Sequence, residues 1–163
     1  YGAALRAGME IVQRSPHAWP SSYCPIGLDS TISYPYTDMK FKNTTDYPVY
    51  IVSWMSGTHL NCEIYGYMPD DYDTITPGSG VSQTIPRPAD ILNVDPTLQP
   101  GQKVKDIDGH TGYKAYSFRV YYKNGVEVKR ETLSSSYYHE NAAVYRVGPA
   151  AAADPNAAAP PAA

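Results

Sequence analysis

Residues 38–66, DMKFKNTTDYPVYIVSWMSGTHLNCEIYG, decide the fold class. Their apolar residues recur at every second position, the period of a strand, and not at every third or fourth. Over residues 38–43 Met39 and Phe41 share one face. Past Pro48 the run YPVYIVSWM, residues 47–55, is apolar on both faces, which predicts a central strand covered on both sides. Ser56-Gly57 reads as a turn, and HLNCEIY, residues 59–65, alternates again. Leu60, Cys62 and Ile64 take its inward face and His59, Asn61 and Glu63 its outward face, so Cys62 is expected to be a small core residue.

Working outward, residues 1–14, YGAALRAGMEIVQR, read as helix. Leu5, Met9 and Val12 form its apolar stripe, Ala4, Gly8 and Ile11 run beside it, and Pro16 ends it. No capping residue precedes Tyr1, so the helix is expected to enter the chain already under way. Residues 69–80, PDDYDTITPGSG, are acidic and rich in Pro and Gly, the composition of a linker or long loop. Beyond them turn signals recur at Gln99-Pro100-Gly101, Asp108-Gly109 and Asn124-Gly125. Between the last two, Tyr113 to Lys123 alternates with Tyr116, Phe118, Val120 and Tyr122 on one face. Asn124-Gly125 is a two-residue hairpin signal that returns the chain as VEVKRETL. A last strand spans about 143–147, and the Ala/Pro-rich stretch 149–163 reads as a disordered tail or spacer. The fold class is mainly β with one N-terminal helix, an α+β chain.

A length of 163 residues suits one domain or two small ones. The formal net charge of -3, with no Lys/Arg cluster, gives no electrostatic footprint for nucleic acid. No apolar run approaches the length of a membrane span, so a membrane anchor, if any, lies outside this chain. Sixteen tyrosines against two phenylalanines make the aromatic surface mostly hydroxyl-tipped. That suits half-exposed strands or sugar-facing surfaces, and it is equally what strand propensity alone would select. Two cysteines are too few for a disulfide scaffold, though one Cys24–Cys62 bridge is open.

The stretch SPHAWPSSYCPIGLDS, residues 15–30, brings a thiol, an imidazole, a phenol and a carboxylate together in sequence. Cys24 sits in a Pro-bounded bend with no adjacent cation to lower its pKa, which favours a small buried residue over a nucleophile. His17 reads either as a general base or as a histidine bonded to backbone to shape the bend. Asp29, in GLDST, could orient His17 through its other ring nitrogen or could cap the turn. Tyr23 could donate to a substrate carbonyl or could simply pack. His59, His110 and His139 lack metal-ligand spacing, and no phosphate-cradling Gly-rich loop occurs, so no metal and no cofactor is expected. Asn43-Thr44-Thr45 is a formal glycosylation acceptor that reads as strand-end chemistry.

Two sets of motifs go beyond pattern. YGAALRAGMEIVQRSPHAWPSSYCPIGLDSTISY, followed by DMKFKNTTDYPVYI and a strand ending in IYG, resembles the C-terminal half of the VanW family. DPTLQPGQK, DGHTGYKAYSFRVYYKNGVEVKRE and the closing VYRVG resemble a G5 domain, a small elongated antiparallel β module. The resemblance divides the chain into a truncated VanW-type domain (1–68), a linker (69–80), a G5 module (81–148) and the tail. It implies an extracytoplasmic bacterial surface protein working at peptidoglycan, linked to glycopeptide resistance. Its partners would be peptidoglycan or an N-acetylglucosamine-containing polymer, with self-association through G5 also open. Some members of the VanW family are cysteine-dependent L,D-transpeptidases. In the family a Gly-rich, cysteine-bearing segment runs into the helix just before the position of Tyr1, so the resemblance places a nucleophile upstream and leaves Cys24 a bystander. It also matches His17 to a family histidine. Three functional readings follow: a wall-binding module, with Tyr113, Tyr121 and Tyr138 as glycan-facing rings; the C-terminal portion of a transpeptidase, supplying His17, Asp29 and Tyr23; and a non-enzymatic adhesin or spacer.

Overall fold

The computed structural model describes residues 1–150. The tail expected to be disordered lies, from residue 151 onward, outside the described residues. The chain is mostly strand, with one short helix at its start. It divides into two compact units, the first made of residues 1–85 with 112–139 and the second of residues 86–111 with the segment from 140 onward.

The first unit opens with helix α1 (Gly2–Arg6), which is far shorter than the expected 1–14. Gly8 stops it. Its φ of +72° lies in the left-handed region, where a side chain is strained. The closing bonds are those of a Gly-terminated helix, with Met9 N–H donating to Ala4 O at 3.0 Å and Gly8 N–H to Leu5 O at 3.3 Å. The β-branched pair Ile11-Val12 then continues as strand β1 (Glu10–Gln13), antiparallel to β2 (Lys40–Lys42). Leu5 and Met9 from the expected stripe are buried, whereas Val12 is exposed.

Strands β3 (Tyr50–Ser56) and β4 (His59–Tyr65) form the predicted hairpin, with Gly57 at φ +60° in its turn. Their cover differs from the prediction. Among the described residues no strand other than β4 joins β3, and both of its faces are exposed. The register sets Ile51 opposite Ile64, Ser53 opposite Cys62 and Met55 opposite Leu60, so the expected inward face is a contiguous apolar one. Leu60 is nevertheless 72% exposed and Cys62 is exposed, not a core residue.

Strand β5 (Thr74–Ile85) replaces most of the expected linker. The signals that read as loop have another cause. A Cβ on Gly78 would lie 2.5 Å from the Phe118 ring and one on Gly80 2.6 Å from the Tyr116 hydroxyl, so these glycines let two aromatic side chains lie across the strand. Pro77 is tolerated because β5 is an edge strand, paired among the described residues only with β8 (Gly112–Lys123). The second β8 neighbour is β9 (Val126–Tyr138), reached through Asn124 and Gly125, at φ 49° and 77°, as the two-residue turn predicts. One face of β8, with Ala115, Ser117, Arg119 and Tyr121 all buried, belongs to the core that also contains Ala4, Leu5, Met9 and Ile75.

In the second unit β6 (Ile91–Val94), β7 (Lys103–Ile107) and β10 (Val144–Val147) form one sheet, with β10 in the middle. The strand pairings are antiparallel as expected except one: β10 runs parallel to β6 and antiparallel to β7. A parallel neighbour needs a long connection, and β10 follows β6 only after three intervening strands. The Gln99-Pro100-Gly101 turn forms as read, with Gln102 N–H donating to Gln99 O at 3.0 Å and Gly101 at φ +83°.

Because Gly8 switches helix to strand, Gly8→Ala is expected to destabilise the chain by about 1–2 kcal/mol, the cost of a left-handed non-glycine residue. Its Cβ would also sit 3.1 Å from Ile75 Cδ1. Urea unfolding of the two proteins reads this difference directly.

Candidate functional site: a buried carboxylate and the histidine it orients

Arg14 closes β1, and the chain then returns on itself between His17 and Asp29. Thr31 N–H donates to Ser15 O at 2.9 Å, fastening the loop at its base. Gly27, at φ +87°, allows the turn that brings Asp29 inward. The Asp29 side chain is 1% exposed, so its oxygens must find partners within the protein.

They find four donors. Oδ1 accepts from Arg14 Nη2 at 2.9 Å and from the Tyr138 hydroxyl. Oδ2 accepts from the His17 backbone N–H at 2.7 Å and from His17 Nδ1 at 2.8 Å. Arg14 spreads further, donating to Asp29 O at 2.6 Å, to Gly27 O at 3.3 Å and to Ser136 Oγ at 2.5 Å. The Tyr138 oxygen in turn accepts from Gly27 N–H at 2.8 Å, which closes the network. Burial alone would raise the Asp29 pKa. The bonds from His17 N–H, Tyr138 and the His17 ring, with the Arg14 charge, outweigh it and hold the carboxyl below its ordinary value. The same carboxylate, after burial, raises the pKa of Tyr138.

An ionised carboxylate only accepts hydrogen bonds, so His17 Nδ1 carries the proton and Nε2 of the neutral ring keeps its lone pair. Ser21 Oγ stands 3.2 Å from the same Nδ1. The His17 side chain is 35% exposed, and the Tyr23 ring meets it edge-on with centroids 6.0 Å apart. One ring nitrogen is thus fixed by a buried anion, and the same carboxylate oxygen also accepts the His17 backbone N–H, so the ring contact and the turn contact coexist.

Cys24 is half-buried beside a cavity of about 470 Å³ that Tyr1, Tyr23, Leu28, Ser30 and Met39 also line. Burial, and then the nearby Asp29 charge, push its thiol pKa up, the opposite of what a thiolate nucleophile needs. Cys24 and Cys62 are both free, so the open disulfide does not form. Tyr23 is 68% exposed, not packed, with its hydroxyl 3.4 Å from the Ser30 N–H.

The proposed glycan-facing tyrosines fare differently. Tyr138 is 0% exposed and belongs to the carboxylate network, and Tyr121 is buried with its hydroxyl donating to Glu131 at 2.8 Å. Neither offers a ring face to a sugar, because the β8–β9 alternation turns both toward the core. Tyr113 is half-buried, in register with Tyr138. Tyr34 and Tyr36, at 88% and 86%, are the most exposed tyrosines among the described residues. Asn43 is occupied locally, donating to Tyr47 O at 2.7 Å and accepting from Thr45 N–H at 3.1 Å, the strand-end role read from sequence. Among the described residues no three metal-ligating side chains gather.

Sequence reasoning missed Arg14 and gave Tyr138 a glycan-facing role in place of this one. Arg14 was the last residue of a helix that does not extend so far, and Tyr138 reaches Asp29 across 109 positions of sequence. Asp29→Asn is expected to destabilise the chain by about 3 kcal/mol or more, since it leaves Arg14 buried without its counter-charge. The depressed pKa of Asp29 adds stability above its unfolded value, near 3.8, which is lost as pH falls through the lower folded value. Urea titrations from pH 6 to pH 2 should show an acid limb that the Asn variant loses. In thiol labelling at pH 8, Cys62 is expected to react well ahead of Cys24.

Residues 1–65 match the family described as VanW like protein, and residues 79–150 match the G5 domain. An uncharacterized protein of Bacillus subtilis (strain 168), YoaR, is 34% identical over 65 residues, which are 40% of this chain and 22% of that protein. The chain thus spans about a fifth of the length of that curated relative. Of solved structures, the G5 domain of an IgA1 protease covers 47% of this chain and 92% of its own at 22% identity, with a TM-score of 0.32. HP0197-G5 covers 45% and 97% at 16% identity, with a TM-score of 0.26.

Proposed function

From a chain that pairs a VanW-like segment, residues 1–65, with a G5 domain, residues 79–150, we propose a peptidoglycan-associated module of a bacterial surface protein. The succession of the two segments carries this reading. The first would meet the wall's stem peptide or glycan, and the G5 domain would bind an N-acetylglucosamine-containing polymer or space the protein from the wall. The setting is extracytoplasmic, and no helix among the described residues is long and apolar enough to cross a membrane. Sedimentation with purified sacculi tests the proposal. The chain is expected in the pellet, and a chain left wholly in the supernatant would sink it.

One observation favours a chemical role within that setting. His17 is held by Asp29 with Nε2 free, the geometry of a base for acyl transfer. The thiol would come from the cysteine-bearing segment that precedes this helix in the family. The Tyr1 ring supports such an approach, since the Arg14 guanidinium that grips Asp29 lies 5.5 Å over it. His17 would take the proton of the thiol, the thiolate would attack a stem-peptide carbonyl, and the terminal residue would leave as an amine that receives that proton from His17. An acceptor amine, deprotonated by His17, would then displace the thiol and complete the cross-link. In a protein extended to include that segment, His17→Gln is expected to lower cross-link formation by about 10²-fold or more, read by mass spectrometry of muropeptides. Equal cross-linking by both proteins would remove His17 from the chemistry.

A further inference from the structure

A second feature of the first unit is a cleft of about 560 Å³ along β1 and β9. Its walls are tied at two points. Arg119 joins Met9 to Glu131, donating to Met9 O and to the Glu131 carboxylate, each at 2.8 Å. Arg14 reaches Ser136 Oγ at 2.5 Å. Both ties are spaced five positions apart along their strands, so β1 and β9 run in the same direction with the cleft between them. At 3.3 Å per strand residue the slot is about 16 Å long.

Ile11, Val12 and Gln13 line it on one side, and Thr132, Leu133 and Ser134 on the other. These are consecutive residues, so backbone as well as side chains meets the opening. β1 pairs only with β2 and β9 only with β8, which leaves each strand one edge without a strand partner among the described residues. Edge N–H and C=O groups are satisfied by an extended peptide laid beside them. The lining charges narrow the ligand. Arg14 is matched by Asp29, and Arg119 by Glu131. Lining Glu10 is exposed with no ion pair among the described residues; Lys129, its nitrogen 4.8 Å from the centre of the Tyr121 ring, makes no salt bridge there, though its charge lies near enough to Glu131 to help hold that carboxyl below its ordinary pKa.

We propose that this cleft binds a short extended peptide, about five residues long, that carries both an amine for Glu10 and a carboxylate for Lys129. Such a peptide would run alongside Arg14, whose guanidinium holds the Asp29 that orients His17. The proposal rests on the wall-associated reading for its source of peptide, a stem peptide of the wall, and names the surface that would receive it.

The test is an amide-resolved NMR titration of the full chain with stem peptides of four and five residues released from sacculi by an amidase. Shifts and slowed exchange are expected at Ile11 to Gln13 and Thr132 to Ser134. Neutralising both charges, Glu10→Gln with Lys129→Gln, is expected to weaken binding about five-fold. Val12→Trp fills the slot from an exposed position and is expected to abolish binding, with circular dichroism and thermal unfolding unchanged. No shift at several millimolar peptide overturns the cleft, and sacculus sedimentation still decides the wall reading independently. Shifts confined to the second unit also overturn it while leaving wall binding intact. Protection of the same amides that grows with protein concentration, without peptide, means that a strand from a second copy occupies the slot, and overturns it too.

Discussion

The carboxylate of Asp29 is the constraint on which the first unit depends. A single buried anion receives Arg14 from the end of β1, the backbone and ring of His17 from the following bend, and Tyr138 from the end of β9. Removing a carboxylate from water costs several kcal/mol, and only a full set of donors offsets it. That requirement makes the site specific. The bend between Arg14 and Asp29 must fold back, β1 must stop where Arg14 points inward, and β9 must present Tyr138. Arg119 plays the parallel role at the other end of β1, buried and shared between Met9 O and Glu131.

The network has a consequence for chemistry that its structural role does not require. Turn-pinning needs only the His17 backbone N–H, which already bonds Oδ2. The ring bond to the same oxygen sets the tautomer and the orientation of a half-exposed imidazole. A histidine used only to shape the bend would gain as much from a backbone carbonyl. Placing it instead on an anion ties the ring to the same buried carboxylate that pins the bend. Cys24, though near in sequence, is pushed the other way from a nucleophile: burial, and then the Asp29 charge, raise its thiol pKa.

What was legible in the sequence followed from local rules. The β3–β4 and β8–β9 hairpins were readable because alternation and the turn residues at Gly57 and Asn124-Gly125 act over a few positions. The pairing of His17 with Asp29 was readable as one of two roles, since both residues lie in one bend. The helix end was misread because Leu5, Met9 and Val12 fit a helical stripe while a single glycine, Gly8, decided the backbone. β5 was misread because Gly78 and Gly80 signal loops by composition, yet their lack of Cβ serves rings on the neighbouring strand. Tyr138 meets Asp29 109 positions away and Arg119 meets Met9 110 positions away, which no local signal encodes, whereas Arg14 lies only 15 positions from Asp29 and was hidden by the misread helix.

The β3–β4 hairpin carries the argument about burial one step further. Alternation placed Leu60, Cys62 and Ile64 on one face, and the register sets Ile51 and Met55 beside them, but a face selected for burial is not the same as a face that is buried. Pattern reports what a strand demands, whereas cover is supplied by neighbours that the pattern does not name. Fully burying one such large side chain is worth about 1.5–3 kcal/mol, so Ile51, Met55 and Leu60 together leave a driving force of several kcal/mol unused on the surface. A two-stranded sheet with open edges and that face exposed favours association with any apolar surface that fits it. Exposed Cys62 lies in the same face, opposite Ser53, so its reactivity and the cover of the hairpin are one property: whatever buries Leu60 and Met55 also withdraws the thiol from solvent.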